Sequence, residues 1–551
     1  MNVPLPHDAP PLLRNRVPVL LAVITLAGVL LRLCILPSVG LWYDEACTVF
    51  LSDYAADLGQ LFNPDYNNDP PLFLIIIWLW RQFLEICPLL PGTYLYDYLL
   101  RLPPILFGIL VVPATYFAGR SLFTGGSTAS SGEVQANTVP GIDYALLFGT
   151  LLTAISPIQI YYAQELRSYS LFALMGALCL WCFSRACRDN RVSSWALLAL
   201  CLVLAFWNHF FAVWFFLCID VYLLLTWRTN RRLYRNWALW HVIAGIACLP
   251  PLYVAYHTSR VVSQITGQWI PAPGVKSLFI TFKAFFAGYG PQAWAYWPIF
   301  LLATLLCCLG VWRLRTCRQP LLLLLLWSSL AMPVSMMLWS LRDFSYYEIR
   351  LFIWAAIPAA ILAGLGWQAL PRLLRAFSLL LILGLTAPLL IDTYAQRVHP
   401  LPQHRLGVRH KADTRGAANY VREHGTQGQP IFHASHVTLP SFRVYLPQNP
   451  QKHVCLGYEQ LEGFIRAYPN LPLWQHLDMV PVPVTELDIQ QTSFWLVISW
   501  WEPFERPPDI LQLERWFYDH CNHTEMHDFY GITLIECHTA AHPQQEKPDG
   551  R

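Results

Sequence analysis

Three segments of this sequence concentrate the residues that can do chemistry. The first reads Leu41-Trp42-Tyr43-Asp44-Glu45-Ala46 and continues to Asn67-Asn68-Asp69-Pro70-Pro71-Leu72. The second is Tyr161-Tyr162-Ala163-Gln164-Glu165-Leu166-Arg167-Ser168-Tyr169, and the third is Tyr346-Tyr347-Glu348-Ile349-Arg350. Carboxylates gathered where apolar surroundings meet water can act as a general base or give hard oxygen ligands to a divalent cation. Arginine beside them can hold a phosphate through two parallel hydrogen bonds. Acids are also ordinary at hydrated span ends, where arginine snorkels. The chemical reading therefore needs all three segments on one side of a membrane.

The composition supplies that membrane. Of 551 residues, 55% are hydrophobic and 13% charged, with a mean hydropathy of +0.38. Soluble domains carry ~25% charged residues, so a disordered chain and a polar tail are excluded. A secreted disulfide scaffold is excluded too, because most of the 15 cysteines sit singly in apolar runs, as Cys34, Cys201 and Cys218 do. The net charge of +3 gives no argument for nucleic acid, and no nucleic-acid partner is expected. With ~20 apolar residues needed per crossing, the sequence gives eleven spans, near 17–37, 98–119, 143–160, 168–187, 192–208, 209–227, 237–256, 294–314, 320–340, 350–369 and 374–392.

Short basic loops stay in the cytoplasm. Arg14/Arg16, Arg185/Arg188/Arg191, Arg228/Arg231/Arg232/Arg235, Arg313/Arg315/Arg318 and Arg372/Arg375 share one side if Leu72–Ile86 and Val275–Tyr289 lie at the interface without crossing. The N-terminus is then cytoplasmic, and 38–97, 161–167, 257–293 and 341–349 lie outside. Residues 1–394 form the membrane domain, with 38–97 as its first outer loop. Residues 395–538 form an exported α/β domain, with helices at Thr414–His424 and Glu514–His520 and strands at Pro430–His433, Phe494–Ser499 and Gly531–Cys537. Residues 124–140 read as a flexible loop and 539–551 as a disordered tail. No internal repeat is visible.

The order Trp-Tyr-Asp-Glu, then Pro-Pro-Leu, then Tyr-Tyr-Ala-Gln-Glu-Leu-Arg-Ser-Tyr-Ser-Leu resembles the C-type (GT-C) membrane glycosyltransferases. More narrowly, it is similar to bacterial members related to dolichyl-phosphate-mannose-protein mannosyltransferases and lipid A aminoarabinose transferases. The resemblance covers about residues 15–395. It implies a GT-C fold and transfer of a sugar from a polyprenyl-phosphate monosaccharide on the non-cytoplasmic face of the inner membrane. The acceptor hydroxyl would belong to a glycan, a lipid or a protein. Asp44 matches the family's loop acid, the expected base, with Glu45 and Glu165 as further catalytic acids. Tyr162, Gln164, Arg167, Tyr169, Tyr347 and Arg350 are expected to bind substrate, Arg350 as a phosphate contact. Many relatives carry His before Pro-Pro-Leu where this chain has Asp69. Asp69 and Glu165 are accordingly the expected ligands if a divalent metal (Mg, Mn or Zn) takes part. Direct displacement would invert the anomeric configuration.

Other polar residues have plainer readings. Asp220, inside an apolar run, is expected to be hydrated or paired with Arg228 or another basic neighbour, and His209 to sit at an outer turn. His404, His410, His424, His433 and His436 are expected at the surface. Trp500-Trp501 can stack on a sugar or end a strand, Cys521 and Cys537 can pair, and Asn522-His523-Thr524 is a glycosylation sequon. Two rival functions remain: a transporter or flippase of lipid-linked sugars, which predicts ionisable groups near the bilayer midplane, and a non-catalytic glycan-binding scaffold.

Overall fold

The computed structural model describes residues 16–33, 40–86, 90–124, 141–262, 270, 272–317, 319–342, 345–395, 397, 411–468, 470–487, 493–499 and 508–538. Residues 125–140, His404, His410, Trp500-Trp501 and the tail 539–551 lie outside the described residues.

Among the described residues, seven helices are long and apolar enough to cross a bilayer: Arg16–Leu33, Leu102–Phe123, Tyr169–Asp189, Ala293–Arg315, Leu321–Ser340, Ile349–Ala369 and Arg372–Tyr394. Two bent pairs, Ile142–Ile155 with Pro157–Ala163 and Arg231–Ala247 with Leu249–Val261, raise this to nine if each is one span. The chain is an integral membrane protein. The expected eleven also counted Val192–Asn208 and Phe210–Leu225, which are apolar helices of 10–17 residues, at or below the short end of the ~17–25 residues that span a bilayer. Pro71–Leu84 and Val275–Ala287 are helices of 14 and 13 residues, too short to cross.

Proline and glycine shape the bundle at two places. Proline disfavours a helical residue before it, so Ser156 is extended ahead of Pro157 and the helix bends by 54°. The short Pro157–Ala163 helix then delivers the 164–167 turn. The Ile349–Ala369 span is buried along most of its length. Gly364 and Gly366 let its backbone touch its neighbours, since a Cβ there would overlap the carbonyl oxygens of Ala145 and Leu306.

The C-terminal part is an α/β domain on a six-stranded sheet: β1 Ile431–His433, β2 Gln451–Cys455, β3 Val482–Pro483, β4 Ser493–Ser499, β5 His523–Phe529 and β6 Ile532–His538. The order is β3-β2-β1-β4-β6-β5, parallel from β3 to β4 and antiparallel beyond. The helix Thr414–His424 starts where the Asp413 carboxylate accepts the Gly416 N–H at 2.9 Å. Cys521 and Cys537 form a disulfide. His424 is exposed as expected, whereas His433 and His436 are buried, at 0% and 8% exposure. The reason is that β1 is an interior strand covered on both faces. His436 lies just beyond it, ringed by Tyr43, His453, Phe464, Tyr468 and Trp474.

Two membrane-domain residues find local partners. Asp220 accepts from the Trp237 indole and pairs with His241, both at 3.0 Å, and among the described residues no pair with Arg228 forms. The His209 Nδ1 accepts the Phe211 N–H at 3.2 Å and its ring stacks on Phe172.

The C-terminal domain sits on the first outer loop. Cys47, Leu51, Tyr54 and Leu74 share one apolar cluster with Leu439, Leu473, Leu477 and Met479.

Candidate active site

Asp44 and Glu45 open the helix Tyr43–Asp53, where the unpaired backbone N–H groups favour negative charge. The Glu45 carboxylate reaches back to accept the Trp42 N–H at 3.3 Å, which fixes the first turn. Neighbouring helical residues point ~100° apart, so these two acids face different surroundings.

Asp44 is partly exposed. Its Oδ2 accepts from the Arg350 guanidinium at 3.1 Å, with side-chain exposures of 18% and 12%. Arg350 also pairs closely with Glu348 and lies 5.5 Å over the Tyr169 ring. Arg167 comes from the 164–167 turn and donates to Asp69 at 3.0 Å, to Thr48 at 2.9 Å and to the Asp44 carbonyl at 3.5 Å. Burial alone would loosen the Arg167 proton, but Asp69 and Asp44 outweigh it and hold the guanidinium charged. Asp69 is presented by Asn67, which is fully buried and clamps the loop: its amide donates to the Leu61 and Asp69 carbonyls, both at 2.8 Å. Asp44, Asp69, Arg167, Tyr169, Glu348 and Arg350 thus converge from three segments far apart in sequence.

Glu45 faces inward, to a second cluster. Arg101 donates to both of its oxygens at 2.7 Å, the Leu166 N–H donates at 2.9 Å, and Lys411 stands 3.5 Å away. Burial would raise the Glu45 carboxyl, but Arg101 and Lys411 hold it down to about 2. Glu165 is 1% exposed and meets Lys411 through Oε2 at 3.6 Å, while its buried Oε1 has no hydrogen-bond partner among the described residues. Burial raises the Glu165 carboxyl above its ordinary range, against the pull of Lys411 and with the push of Glu45 and Asp44. Burial and neighbouring charge therefore shift the two acids in opposite directions, Glu45 down and Glu165 up.

The remaining expected residues divide. Tyr162 is 1% exposed and packs edge-on against Tyr169. The Gln164 amide donates to the Arg32 carbonyl at 3.2 Å, tying its turn to the first span. Tyr347 shares a hydrogen bond with Thr281 at 2.7 Å and packs on Phe352. Arg101, Lys411 and Asp97 do not stand out in the sequence. The only local signal is the i,i+4 spacing of Asp97 and Arg101; for Lys411 there is none.

Asp69 and Glu165, the expected metal ligands, are not brought onto a common point. Asp69 is taken by Arg167 and Glu165 by Lys411. Among the described residues no three His, Cys, Asp or Glu side chains converge. The described residues thus do not form the three- or four-residue cage that Zn takes, whereas Mg or Mn can be held by one or two carboxylates together with substrate phosphates.

No protein-family model matches the chain, and a search of curated proteins finds no match. Solved structures do match. ArnT from Cupriavidus metallidurans in the apo state superposes with a TM-score of 0.60 at 15% identity, over 97% of this chain and 100% of that one. The same protein bound to undecaprenyl phosphate gives 0.54 at 15% identity, over 95% and 98%. The archaeal oligosaccharyltransferase AglB from Archaeoglobus fulgidus, in complex with an inhibitory peptide and a dolichol-phosphate, gives 0.51 at 11% identity over 88% and 69%. At such identities the likeness is one of fold, and the chain is an integral membrane protein of the C-type glycosyltransferase fold.

Proposed function

We propose that this protein is a membrane glycosyltransferase. It moves a sugar from a polyprenyl-phosphate monosaccharide to a hydroxyl of a glycan, lipid or protein acceptor at the non-cytoplasmic face. The observation that carries the reading is Asp44, a partly exposed acid with two guanidiniums beside it. It stands in a fold whose solved neighbours include ArnT with undecaprenyl phosphate and AglB with dolichol-phosphate. A transporter would need its ionisable groups near the midplane. The Cys521–Cys537 disulfide supports an oxidising, extracytoplasmic setting for the C-terminal domain. In this reading the N-terminus lies in the cytoplasm and the protein in the inner membrane.

In this reading Asp44 takes the acceptor hydroxyl proton as the oxygen bonds to the anomeric carbon, a role worth ~10²–10⁴-fold. The bond from that carbon to the phosphate oxygen breaks, and its electron pair leaves on the polyprenyl phosphate. Arg350 and Arg167 meet the charge that develops there. Attack opposite the leaving group inverts the anomeric centre. Glu45 and Glu165, both buried, position the two loops.

The test supplies the full-length protein in nanodiscs with labelled polyprenyl-phosphate monosaccharides and a native membrane extract as acceptor. Acceptor-dependent release of polyprenyl phosphate with inverted product supports the reading. Movement of intact lipid-linked sugar across proteoliposomes, without cleavage, would overturn it in favour of a transporter.

A further inference from the structure

The two acid-bearing loops of the membrane domain meet on a lysine that belongs to the exported domain. Lys411 lies just ahead of the helix Thr414–His424 and is 1% exposed. Its ammonium stands 3.5 Å from Glu45 and 3.6 Å from Glu165, between the Tyr161 and Trp42 rings at 5.4 and 6.0 Å. With Arg101 on the far side of Glu45, two cations and two carboxylates are sealed together at 0–1% exposure. Buried charges persist only in such balanced sets, and removing one member leaves the opposite charge uncompensated.

Each carboxylate is one or two residues from the boundary cluster. Glu45 is next to Asp44, and Glu165 is two residues from Arg167, which reaches both Asp44 and Asp69. The same end of the exported domain also grips the chain just before Asp44. The Thr414 hydroxyl donates to the Leu41 carbonyl at 2.7 Å, and the Tyr445 hydroxyl accepts the Leu41 N–H at 2.6 Å. Arg415 and Tyr445 both donate to the buried Asp97 carboxylate, at 2.8 and 2.9 Å.

We propose that Lys411 is a positioning residue of the catalytic centre, a buried cation through which docking of the exported domain sets the Asp44 and Arg167 loops relative to each other. The exported domain is then a working part of the centre rather than an appended binding module. The catalytic half of this inference rests on the transferase reading, whereas the docking half does not.

The test compares Lys411→Met, Glu165→Gln and the double variant as full-length proteins in nanodiscs. Proteinase K cleavage between the two domains is read beside labelled-sugar transfer. Lys411→Met leaves one cation against two carboxylates, so cleavage accelerates by about tenfold or more. Transfer falls mainly in kcat, with the donor KM little changed. Lys411→Met/Glu165→Gln removes the surplus charge and restores protease resistance to within about threefold of the parent, a rescue that a packing role of the lysine would not give. If Lys411→Met does not accumulate, recovery of the double variant is the same test. Unchanged cleavage in Lys411→Met, or a double variant as labile as the single, would overturn the proposal. If the parent protein transfers no sugar while the cleavage pattern holds, the transferase reading fails and the docking role stands.

Discussion

Replacing Arg101 by methionine removes the side chain that holds Glu45 by both oxygens at 2.7 Å inside a shell where neither is more than 1% exposed. Arg101 and Lys411 hold the Glu45 carboxyl below its ordinary range against burial. Breaking such a buried pair by deleting one partner costs ~3–5 kcal/mol. At ~2–4 °C per kcal/mol for mid-sized domains, the apparent melting midpoint at pH 7 should drop by roughly 6–20 °C.

The pH dependence has a definite sign. In the parent, Glu45 titrates below its unfolded value, so its contribution is complete above ~4.5 and is lost as pH falls towards 2. In Arg101→Met, burial dominates and the carboxyl titrates above its unfolded value, so acidification relieves the variant. Melting in nanodiscs between pH 4.5 and 8 should show a deficit that is widest at neutral pH and narrows towards pH 5. A variant melting with the parent at pH 7, or a deficit that widens on acidification, would refute the reasoning. Arg101→Lys keeps the charge but loses the two-point grip, so it should fall between the two.

The same geometry sets further outcomes. Arg350→Ala should raise the donor KM and lower kcat, with a combined loss of ~2 kcal/mol or about thirtyfold in kcat/KM, because a charge-assisted contact is worth ~1.5–3 kcal/mol; steady-state kinetics against donor concentration would read it. Gly40→Ala should destabilise the docked domain by ~1–3 kcal/mol, since a Cβ there would come within 2.7 Å of the Tyr445 hydroxyl and of the Arg415 Cβ; thermal unfolding of the full chain measures it. A divalent-metal chelator should leave the transfer rate unchanged, as Asp44 and Asp69 already face guanidiniums.

The parts of the fold legible in the sequence are those set by local rules. Thr414–His424 can be read to the residue because Asp413 caps its start and Gly425 comes directly after its end. Segments carrying Asp44, Asp69, Glu165 and Arg350 stand out because acids and tyrosines interrupt apolar runs. Strands β2 and β5, Gln-Lys-His-Val-Cys and His-Thr-Glu-Met-His-Asp-Phe, escape such reading because their polar residues hide any apolar alternation. His433 defies the surface expectation because a short interior strand can bury a polar side chain, here by sharing a hydrogen bond with Thr438 at 2.8 Å. The pairing of Asp44 with Arg350 spans 306 residues, and that of Glu45 with Lys411 spans 366. No local pattern encodes either, and Lys411 lies on a different domain from its partners.

The central claim is that Asp44 is the base at this boundary, and Asp44→Asn tests it most directly. Single-turnover transfer from a bound, labelled polyprenyl-phosphate monosaccharide should fall by ~10²–10⁴-fold, with donor affinity within a few fold of the parent. Transfer at the parent rate in Asp44→Asn, with the donor bound equally well, would contradict the account.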